Sequence, residues 1–420
     1  MTTSRASDTV APALLSGWWR EASADARRAL LAGTFGWMLD AFDVMLFALV
    51  LPALSADLGL SKAEGGFLGS VMLIAAAAGG VGFGWIADRF GRTRALTLSV
   101  ALYSVFTAAC GLAGSLGAFI VFRLLLGLGM GGVWTSGAAL VSETWPSEHR
   151  GKALGFMQSG WAIGYALAAL VSGIVQPRFG WRAVFFVGIL PAFFTLWVQR
   201  RVREPEIWTA ASRTRRSSAG LLSIFGRGIA PLTIALTLMN TCTLFAWWGF
   251  NLWLPSYLKA APAQGGIGLS GAAASTFVVI MQIGMWFGYV TFGFVSDRFG
   301  RKRSYVAYLV SAAILLAVYV TVRVPAVLLV LGPFVAFAGT GYFSGFGAVT
   351  AEIYPTTIRA TAQGFTYNIG RLASAAAPFL VGSLADTQGF GAALLVCSAA
   401  FALAALAWIW IPETRGRALT

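Results

Sequence analysis

Twelve apolar runs, each about as long as a bilayer demands of a spanning helix, constrain this chain more than any other feature. A helix rises about 1.5 Å per residue, so about 20 apolar residues cross the hydrocarbon. The runs read as 29–54, 65–87, 94–113, 117–141, 152–175 and 181–199, then 229–257, 271–295, 304–322, 325–350, 360–384 and 389–411. Backbone N–H and C=O groups find no water inside lipid, so each run must pair its own and become helical. The expected fold is an all-α membrane protein of twelve transmembrane helices. Composition agrees: the chain is 58% hydrophobic and 11% charged, where soluble domains carry about 25% charge.

The polar stretches divide the chain into a tail (1–28), a first bundle of six spans (29–199), a linker (200–228), a second bundle (229–411) and a tail (412–420). Residues 1–28 lack an apolar segment with a small-residue cleavage site, so the first run is read as a true span. Of 30 Lys and Arg residues, 23 fall on the side of the N-terminus. Five fall opposite, Lys62, Arg178, Arg182, Lys259 and Arg323, and two lie within spans, Arg123 and Arg371. The positive-inside rule then places both termini in the cytoplasm of an inner-membrane protein. The net charge of +14 is spent on these connectors, which argues against nucleic acid as a partner. The three cysteines, Cys110, Cys242 and Cys397, sit in apolar runs, and the one histidine, His149, sits in a connector. No metal motif results, and no nucleophile–base set or phosphate loop is present, so an enzyme is not expected.

The two halves are related. Gly84…Asp88-Arg89-Phe90-Gly91-Arg92 recurs as Gly293…Asp297-Arg298-Phe299-Gly300-Arg301, at an offset of 209 residues. At the same offset Glu143, Pro146, Arg150 and Gly155 return as Glu352, Pro355, Arg359 and Gly364, and Glu204 returns as Glu413. Parallel repeats of six spans are a transporter architecture. The repeated acids and arginines, at fixed spacing from glycines that permit a tight turn, form the expected cytoplasmic gate.

Charges that break the repeat need another explanation. Asp40, Asp43 and Arg123 map forward to Gly249, Leu252 and Gly332, and Arg371 maps back to Ala162. An ionisable group inside a span is costly and faces the protein interior. Asp40 and Asp43 are three apart and share a helix face. Two such carboxylates in a low-dielectric site resist double ionisation, so one can take up a proton near neutral pH. Counting along the spans sets Asp43 at the depth of Arg123, and Asp40 at that of Arg371. The expectation is that Asp40, Asp43 and Arg123 handle a proton, with Arg123 pairing the ionised acid. Arg371 offers a planar fork to a substrate carboxylate. Gln158, Trp161, Tyr165, Trp247, Asn251, Gln282, Tyr342, Tyr367 and Asn368, together with Trp248 and Tyr289, are the polar and aromatic groups expected around it.

The repeated loops, with Arg123-Leu-Leu-Leu-Gly127-Leu-Gly129-Met-Gly131, resemble the signatures of the major facilitator superfamily over the whole chain. Trp37-Met-Leu-Asp40-Ala-Phe-Asp43 is similar to the first-span pattern of its sialate/monocarboxylate and aromatic-acid proton symporters. Residues Glu143–Arg150 and Gly180–Pro191 look closest to the sialate/monocarboxylate side. The fifth span lacks the Gly-Pro pair of drug antiporters, and the seventh lacks the paired glutamines of sugar porters, although Pro412–Gly416 resembles their C-terminal motif. The resemblance implies proton-coupled uptake of a small organic acid by a monomer, with no cofactor beyond the proton. An organic-anion exchanger or exporter, and a membrane sensor without transport, are the alternatives.

Overall fold

The computed structural model describes residues 18–211, 224–226 and 228–415. Among them every regular element is helical. In chain order they are α1 (Ala24–Leu58), α2 (Lys62–Phe90), α3 (Arg92–Gly111), α4 (Leu116–Thr144), α5 (Ser147–Val187), α6 (Leu190–Arg201) and α7 (Glu206–Ala211). Then come α8 (Ala230–Lys259), α9 (Gly271–Phe299), α10 (Arg301–Thr321), α11 (Pro325–Thr340), α12 (Phe346–Ile353), α13 (Thr356–Ser374) and α14 (Ala376–Ala407). Linker residues Arg213, Arg215, Arg216 and Arg227 lie outside the described residues.

Serine caps begin several of the long helices. Ser23, Ser115 and Ser270 accept from the amides of Ala26, Ala118 and Ala273, and Ser61 forms a reciprocal capping box with Glu64. Each cap satisfies a donor that the first helical turn leaves open.

Ten helical segments, rather than the twelve expected, are long and apolar enough to cross a membrane among the described residues. The difference lies in two connectors that continue the helices on either side. Gly151–Arg201 runs for 51 residues and Ala362–Ala407 for 46, about twice what one crossing uses. Besides the short breaks between α5 and α6 and between α13 and α14, each turns at a glycine of positive φ, Gly180 (φ 78°) and Gly389 (φ 79°). The expected run 325–350 is also interrupted, by a 3₁₀ turn over Gly341–Gly345.

Packing repeats along the chain. Helix α1 lies on α5 and α2 on α4; correspondingly α8 lies on α13 and α14, and α9 on α11. The first set meets the second through α2 with α14 and α5 with α9. The glycines of α4 make one of these contacts possible. A Cβ on Gly127 would lie 2.4 Å from the Met72 carbonyl oxygen, and one on Gly131 would lie 2.1 Å from that of Ala76. Only a bare backbone lets α4 approach α2 so closely.

Candidate functional site

The repeated loops close the face where α1 begins. Gly91 (φ 113°) and Gly300 (φ 100°) turn the chain between α2 and α3 and between α9 and α10. The Glu204 carboxylate fills the space beside Gly91, where a Cβ would meet its Oε1 at 2.3 Å. It accepts from the amides of Arg92 at 2.7 Å and Thr93 at 3.1 Å. Glu413 repeats this on Arg301 at 2.7 Å and Lys302 at 3.1 Å. Burial pushes Glu413 up, but the amides of Arg415, Arg301, Lys302 and Thr414 outweigh it and hold the carboxyl below its usual range. The Arg92 guanidinium pairs Glu143 at 2.8 Å, and Arg301 pairs Glu352 at 2.9 Å. Arg301 also pairs Asp297 on its own loop. Arg89 and Arg298 lie over the rings of Trp85 and Phe299. A Cβ on Gly84 or Gly293 would touch nothing within 4 Å. The side chains of Asp88, Arg150 and Arg359 lie outside the described part of the chain.

Asp40 and Asp43 lie on α1 with no solvent exposure, and none of their four carboxyl oxygens has a hydrogen-bond partner. Thr107 lies against Asp43, yet its hydroxyl donates to the Tyr103 carbonyl at 2.9 Å. Tyr103, Thr107 and Cys110 form one face of α3 turned to this pair. Sequence reasoning missed them, although their spacing of four and three is helical and was open to inspection. Arg371 is the cation whose charge acts on Asp40.

Arg123 is fully buried, but its partner differs from the expected acid. The guanidinium carbon sits 4.0 Å from the Phe47 ring centroid and Nη2 lies 3.0 Å from the Met72 sulfur. No ion pair within 4.0 Å joins it to Asp43 among the described residues. Phe47 follows Asp43 by one turn of α1, so the arginine lies one turn past the acid. Counting backbone rise alone cannot resolve this, because the arginine head lies several bonds from its Cα. Cys110 stands within electrostatic reach of both Arg123 and Asp43.

Arg371, on α13, is 3% exposed. No carboxylate lies within 4.0 Å of it among the described residues, and its guanidinium carbon is 5.4 Å from the Tyr367 ring. It closes one wall of a central cavity with Trp37, Gln158, Trp161, Trp247 and Tyr367. Leu244, Trp248, Tyr289 and Phe343 complete the lining. Trp161 packs 4.6 Å from Trp37 and 5.5 Å from Trp247, and Tyr367 stacks on Trp134 at 4.8 Å. The rings leave about 30 Å³, the room of a single water. That is too narrow for an organic acid.

Five of the expected polar and aromatic groups do not reach this wall. Tyr165 donates to the Asn251 carbonyl at 3.2 Å, and the amide of Asn251 donates to Trp247 within α8. Gln282 and Asn368 likewise donate to carbonyls of their own helices. Tyr342 packs on Phe343, 4.6 Å between centroids. Conversely, Trp37, Leu244 and Phe343 line the cavity without having been expected. Trp37 precedes Asp40 by three residues, a signal the sequence does hold. Phe343 lies in the 3₁₀ turn, where no helical period marks a facing side.

The model of the Major Facilitator Superfamily matches residues 33–263 and again 260–420. The cis,cis-muconate transport protein of Acinetobacter baylyi is 32% identical over 380 residues, covering 89% of this chain and 91% of its own. The sialic acid transporter NanX of Escherichia coli is 29% identical over 390 residues, covering 92% and 94%. A crystal structure of a D-xylose-proton symporter shares the fold, with a TM-score of 0.75 and 23% identity over 94% of this chain and 100% of that one. A chain so matched, with ten apolar helices and such relatives, is a multi-pass protein of the inner membrane and not an enzyme. It belongs to the Major Facilitator Superfamily of transporters.

Proposed function

We propose that this protein carries a small organic acid anion of monocarboxylate, aromatic-acid or sialate type across the inner membrane together with a proton, by alternating access. One observation carries the reading: Arg371 faces an aromatic cavity with no acid paired to it, beside an aspartate that its charge reaches. A guanidinium in an apolar box is a fork waiting for a carboxylate. An ionised Asp40 competes for that fork, and a proton on Asp40 frees it. A buried carboxylate without donors is costly, so the Asp40–Asp43 pair is where the proton rides. Arg123 meets an ionised Asp43 when the helices shift by about a turn. Sialic acid, named for one relative, is an anion of this class, and muconate, named for another, is a small organic acid anion with two carboxylates.

The same reading folds each double-length segment back at its glycine, so that both cross twice. Twelve crossings follow, six in 29–199 and six in 229–411, with the 200–228 linker and both termini in the cytoplasm by charge asymmetry. The Arg92–Glu143 and Arg301–Glu352 pairs then stand at the cytoplasmic gate. Arg371→Ala in proteoliposomes should abolish proton-driven uptake of carboxylates while insertion and folding persist. Near-normal uptake would sink the carboxylate role.

A further inference from the structure

A second cavity opens on the face away from the start of α1, among α1, α5, α8 and α9. Its volume is about 410 Å³, and Pro52, Ala53, Ser172, Gln176, Lys259 and Ser275 stand in its wall. This is the space a small organic acid needs, and the narrow box around Arg371 does not have it. Among the described residues, Lys259 is the one charged member of the wall. It ends α8, and its ammonium donates to the Leu49 carbonyl at 2.9 Å, in the turn that Pro52 disturbs. No carboxylate pairs with it among the described residues. A neutral carbonyl leaves an ammonium poorly matched, and a carboxylate is the stronger acceptor. Ser172 donates to the amide oxygen of Gln176 at 3.0 Å, which leaves the Gln176 N–H groups for a second oxygen.

We infer that this cavity is a vestibular binding site for the carboxylate of an organic acid, held by Lys259 and Gln176 before it reaches the box at Arg371. The inference rests on the organic-anion reading above and names a separate site for it. Because Lys259 bridges α8 to α1, an acid that takes its ammonium also removes a bond between the two repeated halves. The vestibule therefore both collects the acid and loosens a contact between α8 and α1.

The test uses Ala53→Cys in the full-length protein, whose three natural cysteines are buried. Ala53 lines the cavity without contributing a polar group. Its labelling by a sulfonate-bearing methanethiosulfonate reagent is read by peptide mass spectrometry. Benzoate, pyruvate and N-acetylneuraminate are the competitors, and benzamide is the uncharged control. At about ten times its Kd at least one acid should slow labelling about tenfold, since occupancy slows it by 1 + [L]/Kd, and benzamide should not. The slowing should persist with Arg371→Ala, vanish with Lys259→Gln and return with Lys259→Arg. Labelling indifferent to all three acids overturns the vestibule. So does protection that disappears with Arg371→Ala or survives Lys259→Gln. The Arg371 reading is judged by uptake instead, so the two fail separately.

Discussion

Among the described residues no ion pair holds Asp40, Asp43 or Arg371, which makes each substitution there informative. On the proposed reading, Asp40→Asn removes one of the two carboxyls of the proton-carrying pair, the one near the fork, but keeps its shape. Accumulation driven by a proton gradient should fall at least about tenfold, a loss of roughly 1.4 kcal/mol in driving, while counterflow of the acid continues. Equal loss of both activities would make Asp40 structural. Arg371→Lys should not restore what Arg371→Ala removes, because an ammonium cannot present two parallel donors. Glu413 supplies a pH effect of known sign. Its carboxyl sits below the ordinary range in the folded protein, with amide donors surrounding it. Such a group contributes stability above its unfolded pKa, about 4.3 for glutamate, and that contribution is lost as pH falls through the folded value. The melting deficit of Glu413→Gln should be constant above pH of about 5 and close on acidification. A deficit that grows with acid would show that the amides are held some other way.

At the scale of elements, the gate loops tie a glycine to an acid far along the chain. An alanine at Gly91 meets two penalties. A left-handed backbone costs a non-glycine residue about 1–3 kcal/mol, and its Cβ collides with Glu204. Gly91→Ala should lower the melting temperature, and Glu204→Ala should do so as well by uncapping α3. The double variant should be less damaged than the sum, since removing the carboxylate clears the clash. Strict additivity would mean that the two groups do not share space. Element boundaries were only partly legible. Apolar length marked the chain as helical, because lipid admits only paired backbone, and ten segments long and apolar enough to cross stand among the described residues. The breaks at Gly180 and Gly389 and the 3₁₀ turn at Gly341–Gly345 were not legible, because a glycine in an apolar stretch reads the same whether the helix continues or turns.

At the scale of the molecule, the two repeated sets of helices meet at the face opposite the gate loops. There Asp386 of α14 accepts from the amides of Lys62 at 3.2 Å and Ala63 at 2.9 Å, capping α2 from the other set. Asp386→Ala should speed hydrogen exchange about tenfold at each of the Lys62 and Ala63 amides, since each loses one hydrogen bond of roughly 1–1.5 kcal/mol. The Arg92 and Thr93 amides, capped by Glu204, should be unmoved; equal acceleration at both places would mean global loosening instead. Sequence alone determined that this chain lives in a membrane, that it is duplicated, and that four charges break the duplication. Those facts follow from length, composition and register, which are properties of a line. Which groups face one another was decided by packing between helices distant along the chain. Trp37 from α1, Trp161 from α5, Trp247 from α8 and Arg371 from α13 close one box, while Arg123 settles on Phe47 rather than beside Asp43. Helical period fixes the face a residue points from, but the tilt and depth of the helix it meets come only from the close approach of backbones.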